Sequence, residues 1–481
     1  MTDITVNTPQ LIPDTRSPAQ ERAHQQRAVL IVVLATYMMI ILDTSIVITG
    51  LPDIRDGLGF SPTGLSWVQN AYTLSFGGFM LLGARAGDIL GRRRVYLAGL
   101  ALFMLASLVI GLAPNPATLL IARAVQGAGA AVLAPTTLSL LTIHFAEGDE
   151  RNRAFAQYAA AAGIGSSLGL VLGGIFAGWI SWRVGFLINV PVGLALFMTA
   201  SRLLARQPGS GGRLDISGAV ISTLGMAGLV YGIVRSATEG WGDPVTLSAL
   251  MAGVVLISVF LISQSRRTSP LLPLRLFCDR ERVGAYLARM MFLGAMVSFF
   301  FFSTQLMQGE LRMTPVQAGF GFLPMTVLTF LASLALPRLV RAFGNGAVLV
   351  AAFLVMAIGL VWLARASLGG DYLSGVAAPM LLIGIGNGLG LGPLTGAAMR
   401  GVAPGESGAA SGLVNVAHQL GGTLGLAALI TVFASAMRGI STPAAALAQG
   451  ITAGLHGSAV LAVLGLMLSL TLILPSERRR G

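Results

Sequence analysis

The sequence predicts an all-α integral membrane protein: two pseudo-symmetric six-helix bundles with two further helices inserted between them, fourteen transmembrane helices in all. Three observations lead there. Of the 481 residues, 54% are hydrophobic and 10% charged, whereas a soluble domain carries about 25% charged residues. The apolar residues gather into runs near the ~20 residues that a helix needs to cross the hydrocarbon core. Both tails and every loop after an even-numbered run carry arginines, in clusters everywhere but the loop with Arg400, while loops after odd-numbered runs hold at most single arginines. By the positive-inside rule both termini are then cytoplasmic and the number of spans is even.

Taken in order, residues 1–27 are polar, with proline and mixed charge and no apolar core. They read as a disordered cytoplasmic tail and not as a signal peptide. Residues 28–206 form the first bundle, with spans at 29–50, 65–82, 95–112, 117–143, 155–179 and 184–204. Residues 207–267 hold the inserted pair, 216–234 and 247–262, separated by a polar turn at 239–244. This stretch decides between twelve and fourteen spans, and both of its runs are apolar enough to be counted. Residues 268–475 form the second bundle, with spans at 283–306, 318–336, 347–364, 372–399, 411–437 and 454–474, and 476–481 are a cytoplasmic basic tail.

The isoelectric point of 11.1 does not point to nucleic acid. The basic residues are all arginine and lie scattered in short loops, which is topogenic charge facing anionic lipid. The single Cys278 excludes an internal disulfide, and four dispersed histidines offer no metal cluster. No phosphate-cradling Gly-x-x-x-x-Gly-Lys loop exists and the chain has no lysine, which speaks against an ATP-driven pump. No nucleophile–base pair suggests an intramembrane hydrolase. The chain reads as neither an enzyme nor a cofactor protein, and a proton gradient is the expected energy source.

Asp43 lies inside the first span, in Ile41-Leu-Asp-Thr-Ser-Ile-Val47. An acid facing lipid costs several kcal/mol, so Asp43 faces protein or water, either as a protonation site or as a structural acid bonded to neighbouring hydroxyls. Arg123 in span 4 is its expected partner. Asp43 is seven residues short of Gly50 and Arg123 six past Ala117. Both then sit about 10 Å below the outer ends of their helices. Gln126 and Gly127 share the helical face of Arg123. Thr44, Gln126, Asn189, Gln305, Asn415 and Gln419 are the polar residues that either line a cavity or bond neighbouring helices.

Between spans 2 and 3 stands Gly83-Ala-Arg-Ala-Gly-Asp-Ile-Leu-Gly-Arg-Arg-Arg94. Its Asp88, Gly91, Arg92 and Arg93 resemble the signature loop of the major facilitator superfamily, with Ala84 and Ile89 departing from it. The run Arg123-Ala-Val-Gln-Gly127 is similar to that family's span-4 signature, whose arginine is implicated in proton coupling. Gly165, Gly169, Gly173 and Gly174 resemble its antiporter signature Gly-Pro-x-x-Gly-Gly, with Leu170 in place of the proline. Trp182-Arg-Val-Gly-Phe-Leu-Ile-Asn-Val-Pro191, Ser269-Pro-Leu-Leu-Pro-Leu-Arg-Leu-Phe277 and the run Gly408 to Gly421 look like the fourteen-span drug:proton antiporter branch. The second half echoes the first: Pro337-Arg-Leu-Val-Arg-Ala-Phe-Gly344 follows span 10 where the Asp88 loop follows span 2.

The resemblance implies a major facilitator fold and proton-coupled efflux of amphipathic drugs or antibiotics across a bacterial inner membrane, by alternating access in a monomer. Asp43 and Arg123 would couple protons. Asp88, Gly91, Arg92 and Arg93 would form the cytoplasmic gate, and Gly165, Gly169 and Gly173 a sliding surface. The alternatives are a proton-coupled importer and a lipid flippase or non-transporting sensor. If the family's proline marks a bend, Leu170→Pro should be tolerated better than proline elsewhere in the middle of span 5.

Overall fold

The computed structural model describes residues 18–145, 149–204, 215–267, 274–366, 371–400 and 407–478, together with Pro270 and Val402. Among the described residues the chain is helical and contains no strand. The first half comprises α1 (Pro18–Leu58), α2 (Ser66–Leu90), α3 (Arg92–Gly111), α4 (Pro116–His144), α5 (Asp149–Ile175) and the pair α6 (Trp182–Leu187) and α7 (Asn189–Leu203). The inserted hairpin is α8 (Ile216–Glu239) and α9 (Pro244–Ser265). The second half comprises α10 (Arg280–Gln305), the pair α11 (Pro315–Gly321) and α12 (Leu323–Phe343), α13 (Asn345–Ala366), α14 (Ala378–Met399), α15 (Ser407–Met437) and α16 (Pro443–Leu468), which runs on into α17 (Leu474–Arg478).

Taking α6–α7, α11–α12 and α16–α17 as one leg each, fourteen legs follow one another among the described residues. Twelve are long and apolar enough to cross a membrane. The other two, α2 and α5, are 25 and 27 residues long, so at 1.5 Å per residue each exceeds a ~30 Å core. Their polar residues and glycines lower their hydropathy, and the fourteen-span reading is compatible with their length.

Helix starts follow local chemistry. Asn115, Asp215, Asp243 and Asp279 each accept a backbone N–H three residues on, from Thr118, Gly218, Thr246 and Arg282. Thr314 and Gln317 form a reciprocal capping box at α11. Each satisfies an N–H that would otherwise lose water without gaining a partner. At the start of α9, Arg235 and the Thr246 N–H hold the Asp243 carboxyl down to about 2, so this cap stays ionised across the physiological range. Two legs break in mid-course, at Ile188 and Phe322, three and two residues ahead of a helical proline, Pro191 and Pro324. Proline removes an i→i−4 bond and clashes with the preceding turn.

Three boundaries differ from the hydropathy reading. Helix α1 begins at Pro18, so residues 18–27 of the expected disordered tail are helical, and it ends at Leu58 rather than Gly50. Residues 1–17 and 479–481 lie outside the described residues. The signature stretch 83–90 is the last part of α2 rather than a loop. The turn into α3 is Gly91 alone, with φ +92°. Gly344 makes the same one-residue turn between α12 and α13, with φ +83°. Only glycine enters this region without strain, so the two turns carry the internal echo that the sequence suggested.

Packing repeats with the same order. In the first half α1 lies on α5, α2 on α4 and α3 on α7; in the second α10 lies on α15, α12 on α14 and α13 on α16. Lipid supplies no hydrophobic drive between helices, so close approach through small residues carries the association. A Cβ on Gly173 of α5 would lie 2.5 Å from the Ile46 carbonyl oxygen of α1. One on Gly421 of α15 would lie 2.4 Å from the Met290 Cα of α10.

The hairpin packs through α8 against α2 of one half and α15 of the other. Trp67 of α2 meets Tyr231, and the Thr431 hydroxyl of α15 donates to the Ile233 carbonyl at 3.0 Å. Helix α9 lies outside α8 and presents Met251, Val254, Val255 and Ile262 outward, as a lipid-facing helix does.

Candidate functional site

The first half encloses a polar cluster around Asp43. The Arg123 Nη1 donates to Asp43 Oδ2 at 2.8 Å. The Gln126 Nε2 and Asn189 Nδ2 both donate to Oδ1, at 2.8 and 2.7 Å. The Ser107 hydroxyl accepts from the same two amides at 2.7 and 3.3 Å. Arg123 also donates from Nη1 to Gln126 Oε1 at 2.6 Å and from Nε to the Val68 carbonyl at 3.0 Å. Its guanidinium lies over the rings of Tyr72, 4.3 Å from the centroid, and Phe186, at 5.6 Å.

Five helices bring this cluster together: α1, α2, α3, α4 and α7, with Phe186 added from α6. The break at Ile188 places Asn189 at the first residue of α7, where its amide reaches Asp43. Asp43 is 1% exposed and Arg123 0%. Each ion loses several kcal/mol of hydration on burial, which mutual attraction and good hydrogen bonds must offset. The carboxylate accepts three hydrogen bonds and the guanidinium is flanked by two ring faces. Removing one partner of such a pair costs about 3–5 kcal/mol.

The structure thus joins Asp43, Arg123, Gln126 and Asn189. Gln126 and Asn189 bond directly to Asp43 and are buried, at 0% and 3% exposed. Thr44 is not part of the cluster: its hydroxyl turns back to the Ile41 carbonyl at 2.8 Å. Gln305 is buried at the end of α10, and neither amide atom has a protein partner. Gln419 is half-buried where α15 meets α2, and a Cβ on Gly77 would lie 2.7 Å from its Cβ. Asn415, one turn earlier, is also half-buried. The side chain of Asp88 lies outside the described residues. Beside it, an Arg93 Nη2 donates to the Ser201 carbonyl of α7.

The glycines of α5 divide into two faces. Gly165, Gly169 and Gly173 face α1 of their own half, at Met38, Ile41, Ser45 and Ile46. They are internal packing positions, because consecutive members of an i, i+4 row share one helix face. Gly174 points elsewhere: a Cβ there would lie 2.3 Å from the Pro315 carbonyl oxygen of α11, in the other half. Gly319 of α11 answers it, its Cβ falling 2.6 Å from the Leu170 carbonyl oxygen. The Gln308 amide completes this contact by donating to the Thr49 carbonyl of α1 at 2.8 Å. The two halves therefore touch backbone to backbone on the face opposite the termini, through Gly174 and Gly319.

Leu170 sits in this contact, fully buried, and its carbonyl accepts from the Thr49 hydroxyl at 3.3 Å. Helix α5 is α-helical across it and widens into π-type turns only from Phe176. Leu170→Pro is now expected to lose more folded protein than Leu168→Pro, the reverse of the sequence expectation. Both lose about 3 kcal/mol of helix, but Leu168 is exposed whereas Leu170 is packed between α1 and α11. Detergent-solubilised yield and thermal midpoint of the two variants check this; better survival of Leu170→Pro would show that α5 accommodates a bend here.

Sequence reasoning missed Ser107, whose hydroxyl is one among many in the spans and carries no local signal. It also passed over Arg289, a charge inside the predicted ninth span, which the cost of intramembrane ions should have singled out. Arg289 is 7% exposed and lies against His418 of α15.

With this geometry in hand, the comparisons are consistent with one another. The family model described as Major Facilitator Superfamily matches residues 33–426. The cephamycin export protein CmcT of Amycolatopsis lactamdurans is 39% identical over 452 residues, covering 93% of this chain and 91% of the relative. The puromycin resistance protein pur8 of Streptomyces alboniger is also 39% identical, over 84% of this chain and 81% of its own. The tetracenomycin C resistance and export protein of Streptomyces glaucescens is 32% identical over 84% of this chain and 76% of its own. Among solved structures, a peptide transporter (POT) in complex with sulfate superposes with a TM-score of 0.68 at 14% identity, covering 94% of each chain. At that identity the likeness is one of fold.

Proposed function

The chain belongs to the major facilitator superfamily, and from that premise we propose that it exports amphipathic antibiotics or drugs in exchange for protons. It is a multi-pass membrane transporter and not an enzyme. The export direction rests on its relatives, whose names are those of antibiotic export and resistance proteins. Proton coupling rests on one observation: a buried carboxylate held by an arginine and two amides inside a membrane bundle.

In this reading Asp43 alternates between two bonded states. Ionised, it takes the three donors described above. Protonated, it releases Arg123, which retains the Val68 carbonyl, Gln126 Oε1 and the Tyr72 and Phe186 rings. The freed amides of Gln126 and Asn189 retain Ser107. Both states leave most polar groups satisfied, which a reversible proton site in a membrane requires. The change reaches the seam between the halves along α1, where Thr49, less than two turns beyond Asp43, accepts from Gln308 through its carbonyl and donates to Leu170 through its hydroxyl.

The state described is closed on the face opposite the termini. Arginine placement makes that face external, in the inner membrane of a bacterium with both termini cytoplasmic. Asp88, Gly91, Arg92 and Arg93 would then latch the cytoplasmic face in the alternate state, and a single chain suffices for the cycle. Whole-cell accumulation of lipophilic dyes, with and without a proton-gradient collapser, tests the reading. Export predicts lower accumulation in expressing cells, abolished by the collapser. Gradient-dependent higher accumulation would mean import, and no gradient-dependent change for any dye would favour a sensor.

A further inference from the structure

The second half holds a cationic cluster that proton coupling at Asp43 does not use. Arg289 of α10 donates from Nη1 to the Thr395 hydroxyl of α14 at 2.9 Å and from Nη2 to His418 Nδ1 of α15 at 3.2 Å. Its Nε has no protein partner. No carboxylate among the described residues pairs with it. Arginine cannot accept a hydrogen bond, so His418 Nδ1 is the acceptor. The imidazole is therefore neutral with its proton on Nε2, a second donor beside the guanidinium. The Thr395 hydroxyl is spent on the Leu391 carbonyl at 2.8 Å.

A guanidinium buried within a bundle without a counter-ion is costly. It lies nine residues into α10 from Arg280, about 14 Å below the end that shares a face with the termini. Two features give it access and an apolar neighbour. Thr395 and the adjoining Gly396 are exposed, so the cluster opens outward from a buried charge. Across the seam α1 packs on α10, and Tyr37 of α1 stacks on Tyr158 of α5 with centroids 3.8 Å apart. A cation with an unpartnered Nε thus lies on the helix that packs against α1, which carries one ring of a stacked aromatic pair in the other half.

We infer that Arg289, His418 and Thr395 form a subsite for the carboxylate of an amphipathic organic anion, whose apolar body rests against the Tyr37–Tyr158 pair. The guanidinium fork accepts a carboxylate in two parallel hydrogen bonds, which supplies the missing counter-charge. The site spans both halves, so an occupied anion ties α1 and α5 to α10 and α15 at the termini face. This deepens the export reading by giving the substrate a charge, and it rests on that reading.

Binding of 1-pyrenebutyrate and of its methyl ester to the purified protein in phosphatidylcholine nanodiscs tests it, since neither lipid nor ester then supplies a competing anion. The carboxylate should bind at least about tenfold more tightly than the ester, the worth of one charge-assisted hydrogen bond or more. Arg289→Gln should erase that preference and leave ester affinity unchanged, while Arg289→Lys keeps part of it. Should Arg289→Gln fail to fold, Thr395→Ala with His418→Leu should reduce the preference instead. Equal affinity for the two probes, no saturable binding of either, or a preference that survives Arg289→Gln overturns the subsite. The export reading is judged separately. Asp43→Asn should keep the carboxylate preference and lose gradient-driven transport, whereas a wild type that binds selectively yet moves no dye removes export and leaves the subsite.

Discussion

Asp43→Asn is expected to insert in the membrane and to carry out no proton-driven export. The substitution keeps the shape of the side chain and removes its titratable proton. One of its oxygens becomes an amide that donates, while all three neighbours on the carboxylate are donors. The Gln126 or Asn189 amide must then flip to offer an oxygen, and Arg123 loses its counter-ion. Breaking a buried pair from one side costs about 3–5 kcal/mol, so the purified variant should also melt at lower temperature than the wild type. Uptake of an exported dye by inside-out vesicles, driven by an imposed pH gradient, is the readout. A normal gradient-driven rate would take Asp43 out of the coupling mechanism whatever its effect on stability.

The adjacent glycines of α5 should fail in opposite ways. Gly173→Val puts a Cβ 2.5 Å from the Ile46 carbonyl oxygen and 2.7 Å from its Cα, both backbone atoms of α1 in the same half. Backbone in a packed pair has nowhere to go, so this variant should lose most of its folded protein. Gly174→Val meets the Pro315 carbonyl, also backbone but belonging to the other half. The halves can part there without unfolding. Gly174→Val should therefore fold, remain unable to close on the face opposite the termini, and transport at less than about a tenth of the wild-type rate, a change of roughly 1.4 kcal/mol or more in the closing step. Gly165→Ala is the matched control, because its Cβ meets α1 at an ordinary 3.4 Å. Labelling of a cysteine placed at Gln308, in a Cys278→Ser background, by a membrane-impermeant maleimide reports the open face. Faster labelling in Gly174→Val is expected. Unchanged labelling with normal transport would mean that this contact does not gate the protein.

Why the sequence reached Asp43–Arg123 but not the whole site has a physical answer. Ions inside apolar runs are few, so the two stood out. Their contact was argued from depth measured to Gly50, yet α1 continues to Leu58. Hydropathy marks where a chain becomes polar, not where a helix ends, and Leu51-Pro52-Asp53 stays helical beyond the apolar run. The pair meets all the same, because α1 and α4 cross at that level. Ser107 and the carboxylate-facing turn of Asn189 depend on helix rotation and on the break at Ile188, neither of which a one-dimensional pattern fixes. The glycines of α5 were legible as a packing row, but which face each presents, and that Gly174 crosses to α11, follows from the tertiary arrangement. The Gly91 and Gly344 turns are the converse case: one residue type at a repeated position located both corners of the internal repeat.

Exchange of substrate for protons is tested most directly in sealed proteoliposomes with a pH indicator trapped inside and no gradient imposed. When a dye that expressing cells export is added outside, its inward movement should drive protons out. The lumen should become alkaline with the wild type, and remain unchanged with Asp43→Asn. Dye entry with no change in luminal pH, or with acidification, would contradict proton antiport by this chain.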